Sequence, residues 1–194
     1  MGRMTGGEAV VHSLAAEGVD VVFGLPGVQI MSIYDAFHHN PDIKIVTTRH
    51  EQTAAYMADG YARVTGKPGV ALVAPGPGVQ NASAALGTAY ASSSPVLRLP
   101  GQVKQSEIGK DYGSLHEIND QLDLVRPVTK WCRRVGDMGE IPAAVREAML
   151  QMKSGRPRPV EIERPPDILD GSGELQPVEA KSEKPGSADE TAVK

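Results

Sequence analysis

The run "VDVVFGL" (residues 19–25) is short and apolar, is broken by "PGVQ" and leads into a stretch of helical periodicity. A run of this kind, as a strand, is covered on both faces, the condition of a parallel sheet between two layers of helices. Further strand signals follow in "IKIVTT" (43–48), "GVALVA" (69–74), "PVLRL" (95–99), a strand-like segment near "VTKWCRRV" (128–135) and "PVEIER" (159–164). About six strands separated by helices or long crossovers make a doubly wound, mainly parallel α/β sheet the economical architecture.

The intervening helices carry their own punctuation. Thr5 and Glu8 form a capping box for a helix running to Glu17, and Gly18 is placed for a left-handed C-terminal cap. The spacing predicts helices over 29–38, over 51–65 with Gly66 as its stop, and over 79–92. Another follows a box-like start at Asp137 and Glu140, with Ile141, Ala144, Val145, Ala148, Met149 and Met152 on one stripe and Gly155 at its close. Residues 100–125 have weak periodicity and read as a long loop or short irregular helix, a kind of segment that often carries function. From Gly171 the composition turns to Gly, Ser, Pro, Glu, Lys and Ala. This predicts one domain over 1–170 and a disordered tail or linker over 171–194.

Charge excludes some partners. With 24 acids against 20 bases and a net charge of -4, the chain has no basic block to track a nucleic acid or an anionic membrane. It has no apolar run long enough to span a bilayer and no signal-like start, so the expected compartment is the cytoplasm. The single cysteine, Cys132 beside Trp131, cannot form an internal disulfide and reads as half-buried packing. Metal-ligand spacing is absent.

In an open α/β sheet, ligands bind beyond the carboxyl ends of the strands. The segments there are "GLPGVQ" (24–29), "TRHEQT" (48–53), "PGPGVQN" (75–81) and "PGQVKQSEIGKDYGSLHE" (100–117). "GPGVQN" at a strand-to-helix junction could cradle a phosphate on backbone N–H groups, although it is neither GxGxxG nor GxxxxGK[ST]. Glu51 falls where a strand gives way to a helix, a position the helix dipole favours for a carboxylate; by itself it could simply cap its helix in solvent. Asn81 reads equally as an N-cap or a ligand contact, and His50 as a residue that orients Glu51 or packs beside it. His38 and His39 end a helix on the opposite side of the sheet, where a favourable dipole interaction explains them.

In order, the segments "VFGLPG", "RHEQTAAYMADGYARVTGKPGV", "GPGVQNASAALGTAYASSSPVL", "GQV", "RPVTKW" and "SGRPRPVEIE" resemble the N-terminal pyrimidine-binding domain of thiamine diphosphate enzymes of the acetolactate synthase type, from about residue 4 to 168. The resemblance implies that Glu51 lies against N1′ of the aminopyrimidine ring, where a charge-assisted hydrogen bond favours the imino tautomer that deprotonates thiazolium C2. It implies cofactor contacts from Pro26, Gly27, Pro75, Gly76, Pro77, Gly78 and Asn81, with Gly24 in the first loop. Val28, Gln102, His116 and Glu117 become candidates for the substrate pocket. Val28 stands where relatives often carry a second glycine, and "LHE" replaces Phe-Gln-Glu, which removes an aromatic and an amide and could supply an imidazole for proton transfer instead, histidine being the side chain that ordinarily titrates near neutrality.

The expectation is that the family's central and diphosphate-binding domains are absent. No GDG motif occurs, the nearest string being "VGDMGE" (135–140). The expectation is therefore a pyrimidine half-site, inactive alone and active on a 2-keto acid such as pyruvate with a diphosphate-binding domain or subunit in a homo- or hetero-oligomer. Mg²⁺ belongs on that partner, and FAD only in a missing domain. The small subunit of a two-chain sulfopyruvate or phosphonopyruvate decarboxylase, or a non-catalytic remnant acting as an interaction protein, are the alternatives.

Overall fold

A computed structural model describes residues 2–175. Strand β1 (Gly2–Thr5) leads directly into α1 (Gly6–Ala16), because Thr5 Oγ1 accepts from the Glu8 N–H at 3.1 Å while the Glu8 carboxylate accepts from the Thr5 N–H at 2.7 Å. The box satisfies two donors that a helix start leaves open. Gly18, at φ 77°, turns the chain out of the helix.

The six apolar runs form one parallel sheet: β2 (Val21–Gly24), β3 (Lys44–Thr47), β4 (Gly69–Val73), β5 (Val96–Pro100), β6 (Trp131–Arg134) and β7 (Val160–Glu163). Their spatial order is β3-β2-β4-β5-β7-β6. The crossovers are α2 (Met31–His38), α3 (Glu51–Thr65) and α4 (Pro77–Ala91), then α5 (Gln121–Val125) and α6 (Ile141–Lys153).

Alternation along each strand sorts the core into two layers. Val22, Val70, Leu72, Leu97, Leu99, Val160 and Ile162 face α1, α2 and α6, whereas Phe23, Ala71, Val73 and Val96 face α3 and α4. Helix α3 lies close on the second layer: a Cβ at Gly69 would collide with the Ala58 carbonyl, so glycine is required where β4 begins.

Several boundaries differ from expectation. Residues 172–175, placed in the tail by composition, form β8 (Ser172–Leu175), paired antiparallel with β1 from Gly2↔Leu175 to Thr5↔Ser172. Strands β1 and β8 are too short to signal themselves and form a separate two-stranded sheet, and α7 (Pro166–Asp170) leads into β8. The remainder of the predicted tail, 176–194, lies outside the described residues. Helix α4 starts at Pro77 instead of residue 79, with Gly76 as its N-cap. Asp137 caps a single 3₁₀ turn through the Gly139 N–H at 2.7 Å, and α6 begins only after it. The loop over 100–125 resolves at its end into α5, capped by Asp120, whose carboxylate accepts from the Asp123 N–H at 3.0 Å. No helix of the described residues is long and apolar enough to cross a membrane.

Between the sheet and α4 the interior is ionic. Arg98 on β5 and Glu161 on β7, both fully buried, form an ion pair, and Arg98 Nη1 also donates to the Val79 carbonyl at 2.9 Å. Burial pushes the Glu161 carboxyl up to about 7 against the pull of Arg98, with Glu163 adding to the rise. On the other face Arg164 continues the Val160–Ile162 row, fully buried, and none of its guanidinium nitrogens finds a hydrogen-bond partner among the described residues. Burial pushes Arg164 down to about 9, still charged at neutrality, and Glu161 acts in the opposite direction.

Two stability predictions follow from these charges. At about pH 8, Arg98→Met should cost about 3–5 kcal/mol because it strands a buried carboxylate, whereas Arg98→Met with Glu161→Leu should return to within about 1 kcal/mol of wild type or exceed it. The raised Glu161 carboxyl makes the folded chain bind more protons than the unfolded one between the ordinary value of 4.5 and about 7. That contribution is complete below 4.5 and lost as pH rises through about 7. Urea titrations across this range should show a flatter pH dependence for the double variant. Arg164→Met should raise the unfolding free energy by about 1–3 kcal/mol, since an apolar side chain replaces an unsatisfied cation.

Candidate active site

The chain crosses from β2 to β3 on one side and then returns past β2 to β4 on the other, so the carboxyl ends of β2 and β4 flank the point where the winding reverses. Loops leaving such strands diverge and open a crevice between them. Here the loops after β2, β4 and β5 meet with almost no side chain between them. A Cβ at Gly27 would stand 2.8 Å from the Ala74 Cβ, and one at Gly101 would stand 2.9 Å from Ile30 Cγ2 and 3.2 Å from Pro75 Cδ. At Gly24 it would collide with the Tyr34 hydroxyl. Gly76, at φ 56° and ψ −109°, adopts a backbone conformation open only to glycine, and a Cβ there would run into the His116 carbonyl.

Glu51 is the first residue of α3. The buried Thr48 sets the turn before it: its N–H donates to the Gly24 carbonyl at 2.8 Å and its hydroxyl to the His50 carbonyl at 3.0 Å. His50 is the N-cap, with Nδ1 accepting from the Gln52 N–H at 3.2 Å, so its ring serves the helix start. The Glu51 side chain reaches across to α4, where Asn81 Nδ2 donates to Oε2 at 2.9 Å. Asn81 is the fifth residue of α4, and the expectation that it might cap the helix fails because α4 begins earlier.

Oε1 of Glu51 has no hydrogen bond among the described residues. A Cβ on Gly78 would lie 3.5 Å from Glu51 Cγ and 3.6 Å from Oε1. The missing side chain at Gly78 leaves space beside a carboxylate whose other oxygen is already held. A flat, polar-edged group could occupy that space and donate to Oε1. Pro77 and Asn81 are exposed at the front of α4, with Pro75 and Gly76 buried behind them. Pro26 is exposed and Gly27 half-buried in the first loop, where Val28 is 72% and Met31 52% exposed.

The long loop after β5 folds over this crevice. Gln29, buried, donates from Nε2 to the Leu115 carbonyl at 3.0 Å, and its Oε1 is 3.3 Å from His116 Nδ1. His116, at φ 68°, therefore sits against the Gly76 turn with a structural hydrogen bond. Glu117 turns back into its own loop, accepting from the Asp111 N–H at 3.1 Å and the Ser114 N–H at 2.9 Å. Gln102 is buried; its Oε1 accepts from the Val103 N–H at 2.7 Å and its Nε2 faces Glu163 at 3.4 Å. Of the four pocket candidates, Val28 and His116 lie at the crevice, while Glu117 and Gln102 are engaged in loop structure. His38 and His39 pack ring against ring at 5.2 Å at the end of α2. Cys132 is half-buried, and burial, with Glu161 nearby, pushes its thiol up. No group of potential metal ligands occurs among the described residues.

Gln29, Thr48 and Gln121 escaped sequence reasoning. Nothing in composition or periodicity separates a buried glutamine in a loop from an exposed one.

The family model for the thiamine pyrophosphate enzyme, N-terminal TPP binding domain, matches residues 4–124. A probable 2-ketoarginine decarboxylase, AruI, of Pseudomonas aeruginosa is 44% identical over 166 residues, 86% of this chain and 30% of the relative. A probable acetolactate synthase large subunit of Methanocaldococcus jannaschii is 43% identical over 185 residues, 94% of this chain and 31% of the relative. The acetolactate synthase isozyme 3 large subunit of Escherichia coli is 44% identical over 175 residues, 90% and 30%. The chain thus spans just under a third of the length of these relatives.

The glycines of the turn are not equivalent. Gly76→Ala should destabilise the fold by about 2 kcal/mol or more through a disfavoured backbone and a collision with His116, whereas Gly78→Ala, meeting only ordinary contacts, should change stability by less than about 1 kcal/mol. Urea denaturation of the two variants checks the contrast.

Proposed function

The chain belongs to the thiamine pyrophosphate enzyme N-terminal TPP-binding domain family and is homologous to acetolactate synthase large subunits, and from that premise we propose that it provides the pyrimidine half of a thiamine diphosphate site acting on 2-keto acids. The observation that carries the reading is Glu51, a carboxylate at a helix N-terminus with Oε2 held by Asn81 and Oε1 open beside the bare Gly78. A Cβ at Gly78 would make only ordinary contacts with Ala74 and Glu51, so the gap there admits at least a methyl-sized group.

When bound, thiamine diphosphate supplies the nucleophilic carbon and the electron sink for breaking or making the bond beside a 2-keto group. This chain's residues would hold the aminopyrimidine end. Pro26 and Gly27 on one side and Pro75, Gly76, Pro77 and Gly78 on the other form the walls. Glu51 would share a proton through Oε1 with a nitrogen on the ring's edge, and Asn81, which holds Oε2, would keep the carboxylate from rotating away. General acid-base work of this kind needs a fixed donor-acceptor geometry before it needs an unusual acidity. His116 and Val28 at the mouth are positioned to meet the substrate's side chain.

The diphosphate end and Mg²⁺ are assigned to a separate diphosphate-binding domain or subunit, and FAD to a further domain if one takes part. The partner would seat against the exposed ends of α3 and α4, which carry Glu51 and Asn81. Relatives named for acetolactate synthesis and for decarboxylation of 2-ketoarginine support 2-keto acids as the substrate class, with pyruvate as one member.

The test combines this chain with a diphosphate-binding partner, thiamine diphosphate, Mg²⁺ and a 2-keto acid, and follows CO₂ release. Glu51→Gln should lower turnover by at least ~10²-fold while leaving stability and partner binding intact. A variant within about twofold of wild type would remove Glu51 from the mechanism.

A further inference from the structure

Gln121, the first residue of α5, is 1% exposed and bonded to two different loops and to the end of β7. Its Oε1 accepts from the Gly76 N–H at 2.9 Å, and its Nε2 donates to the Gly101 carbonyl at 2.9 Å and to Glu163 Oε2 at 2.8 Å. Only an uncharged amide can accept once and donate twice in this way. Glu163 is fully buried and paired through its other oxygen with Arg134, so the far end of the chain of bonds is anchored by charge.

The near end is the turn that shapes the crevice. Gly76 has a mirror-image extended conformation that a free glycine visits only as one among several. Its N–H is held by Gln121, its carbonyl accepts from the Gln80 N–H at 3.0 Å, and the side where a Cβ would stand is filled by His116. The turn continues into Gly78, beside Glu51, and then into Asn81, which holds Glu51 Oε2.

We propose that Gln121 is a positioning residue for the candidate site: its amide fixes the Pro75–Gly78 turn and, through Gly78 and Asn81, sets where the Glu51 carboxylate stands. The inference rests on the proposed reading of Glu51. A methionine at 121 fills nearly the same volume and makes none of the three bonds. An asparagine keeps the amide but is one methylene too short to span them.

The test has two arms. In isotope-labelled full chain, Gln121→Met should speed Gly76 amide exchange at least ~10-fold and shift the Asn81 side-chain amide resonances, with Gln121→Asn giving the same result should the first variant not fold. Thr129→Val removes another buried hydrogen bond, to the Val125 carbonyl, and should lower stability without moving either signal. In the complex with a diphosphate-binding partner, Gln121→Met should lower kcat at saturating cofactor by at least ~10-fold, more than it changes KM for the 2-keto acid. Unchanged Gly76 and Asn81 signals overturn the proposal, and so does wild-type kcat in a complex that still depends on Glu51. A complex indifferent to Glu51→Gln as well overturns the reading of Glu51, while the resonance arm continues to decide whether Gln121 sets the turn.

Discussion

A parallel sheet cannot expose either face, so its crossovers have to be shared between two layers, and here that sharing reverses the winding at β2. Everything at the crevice depends on this reversal. It separates the crossovers after β2 and β4, leaves the carboxyl ends of those strands uncovered by helix, and places the starts of α3 and α4 next to each other. Glu51 and Asn81 meet because Glu51 opens α3 and Asn81 lies one turn into the neighbouring α4.

The same region shows how backbone becomes a wall. The loops after β2, β4 and β5 approach at glycines whose hypothetical Cβ atoms would overlap Ala74, Pro75 or His116. Loops that close leave little room for side-chain adjustment, and their conformation has to be set by hydrogen bonds from outside. Two buried glutamines do this, Gln29 for the segment at Leu115 and His116, and Gln121 for Gly76. Behind them stand Glu163 with Arg134 of β6 and, two residues earlier on β7, Glu161 with Arg98 of β5, which itself donates to the first turn of α4. Buried charge is poor value for stability. Its effect here is geometric, since it ties α4 to β5 and β7 beneath the turn that carries Gly78.

Much of the architecture was legible in the sequence because its causes are local. Short strand-like runs between helical stretches marked all six strands, the Thr5–Glu8 box marked a helix start, and Gly18 and Gly66 marked two helix ends with positive φ. Glu51 was legible as a carboxylate at a strand-to-helix junction. What was not legible depends on pairing between distant segments. Gly2–Thr5 becomes a strand only because Ser172–Leu175 lies beside it. Asn81 was open as an N-cap because its partner is 30 positions away on another helix. Gln121 looked like any polar residue in a long loop, and only the tertiary fold brings Gly76, Gly101 and Glu163 to its amide.

The described residues orient the carboxylate without drying it. Under the proposed reading, proton transfer at Glu51 would benefit from excluded water, which strengthens polar interactions in a site. Yet Pro77 and Asn81 are exposed, as are Val28 and Met31 across the crevice. Along α3 beyond Glu51, Tyr56 and Met57 also present apolar surface, at 41% and 37% exposure. In the proposed reading these features belong together: an acid held in place by this chain, with an apolar border around it that another surface can cover. Orientation is thus supplied by the reversal at β2 and by the buried glutamines, while desolvation has to arrive with whatever is laid against α3 and α4.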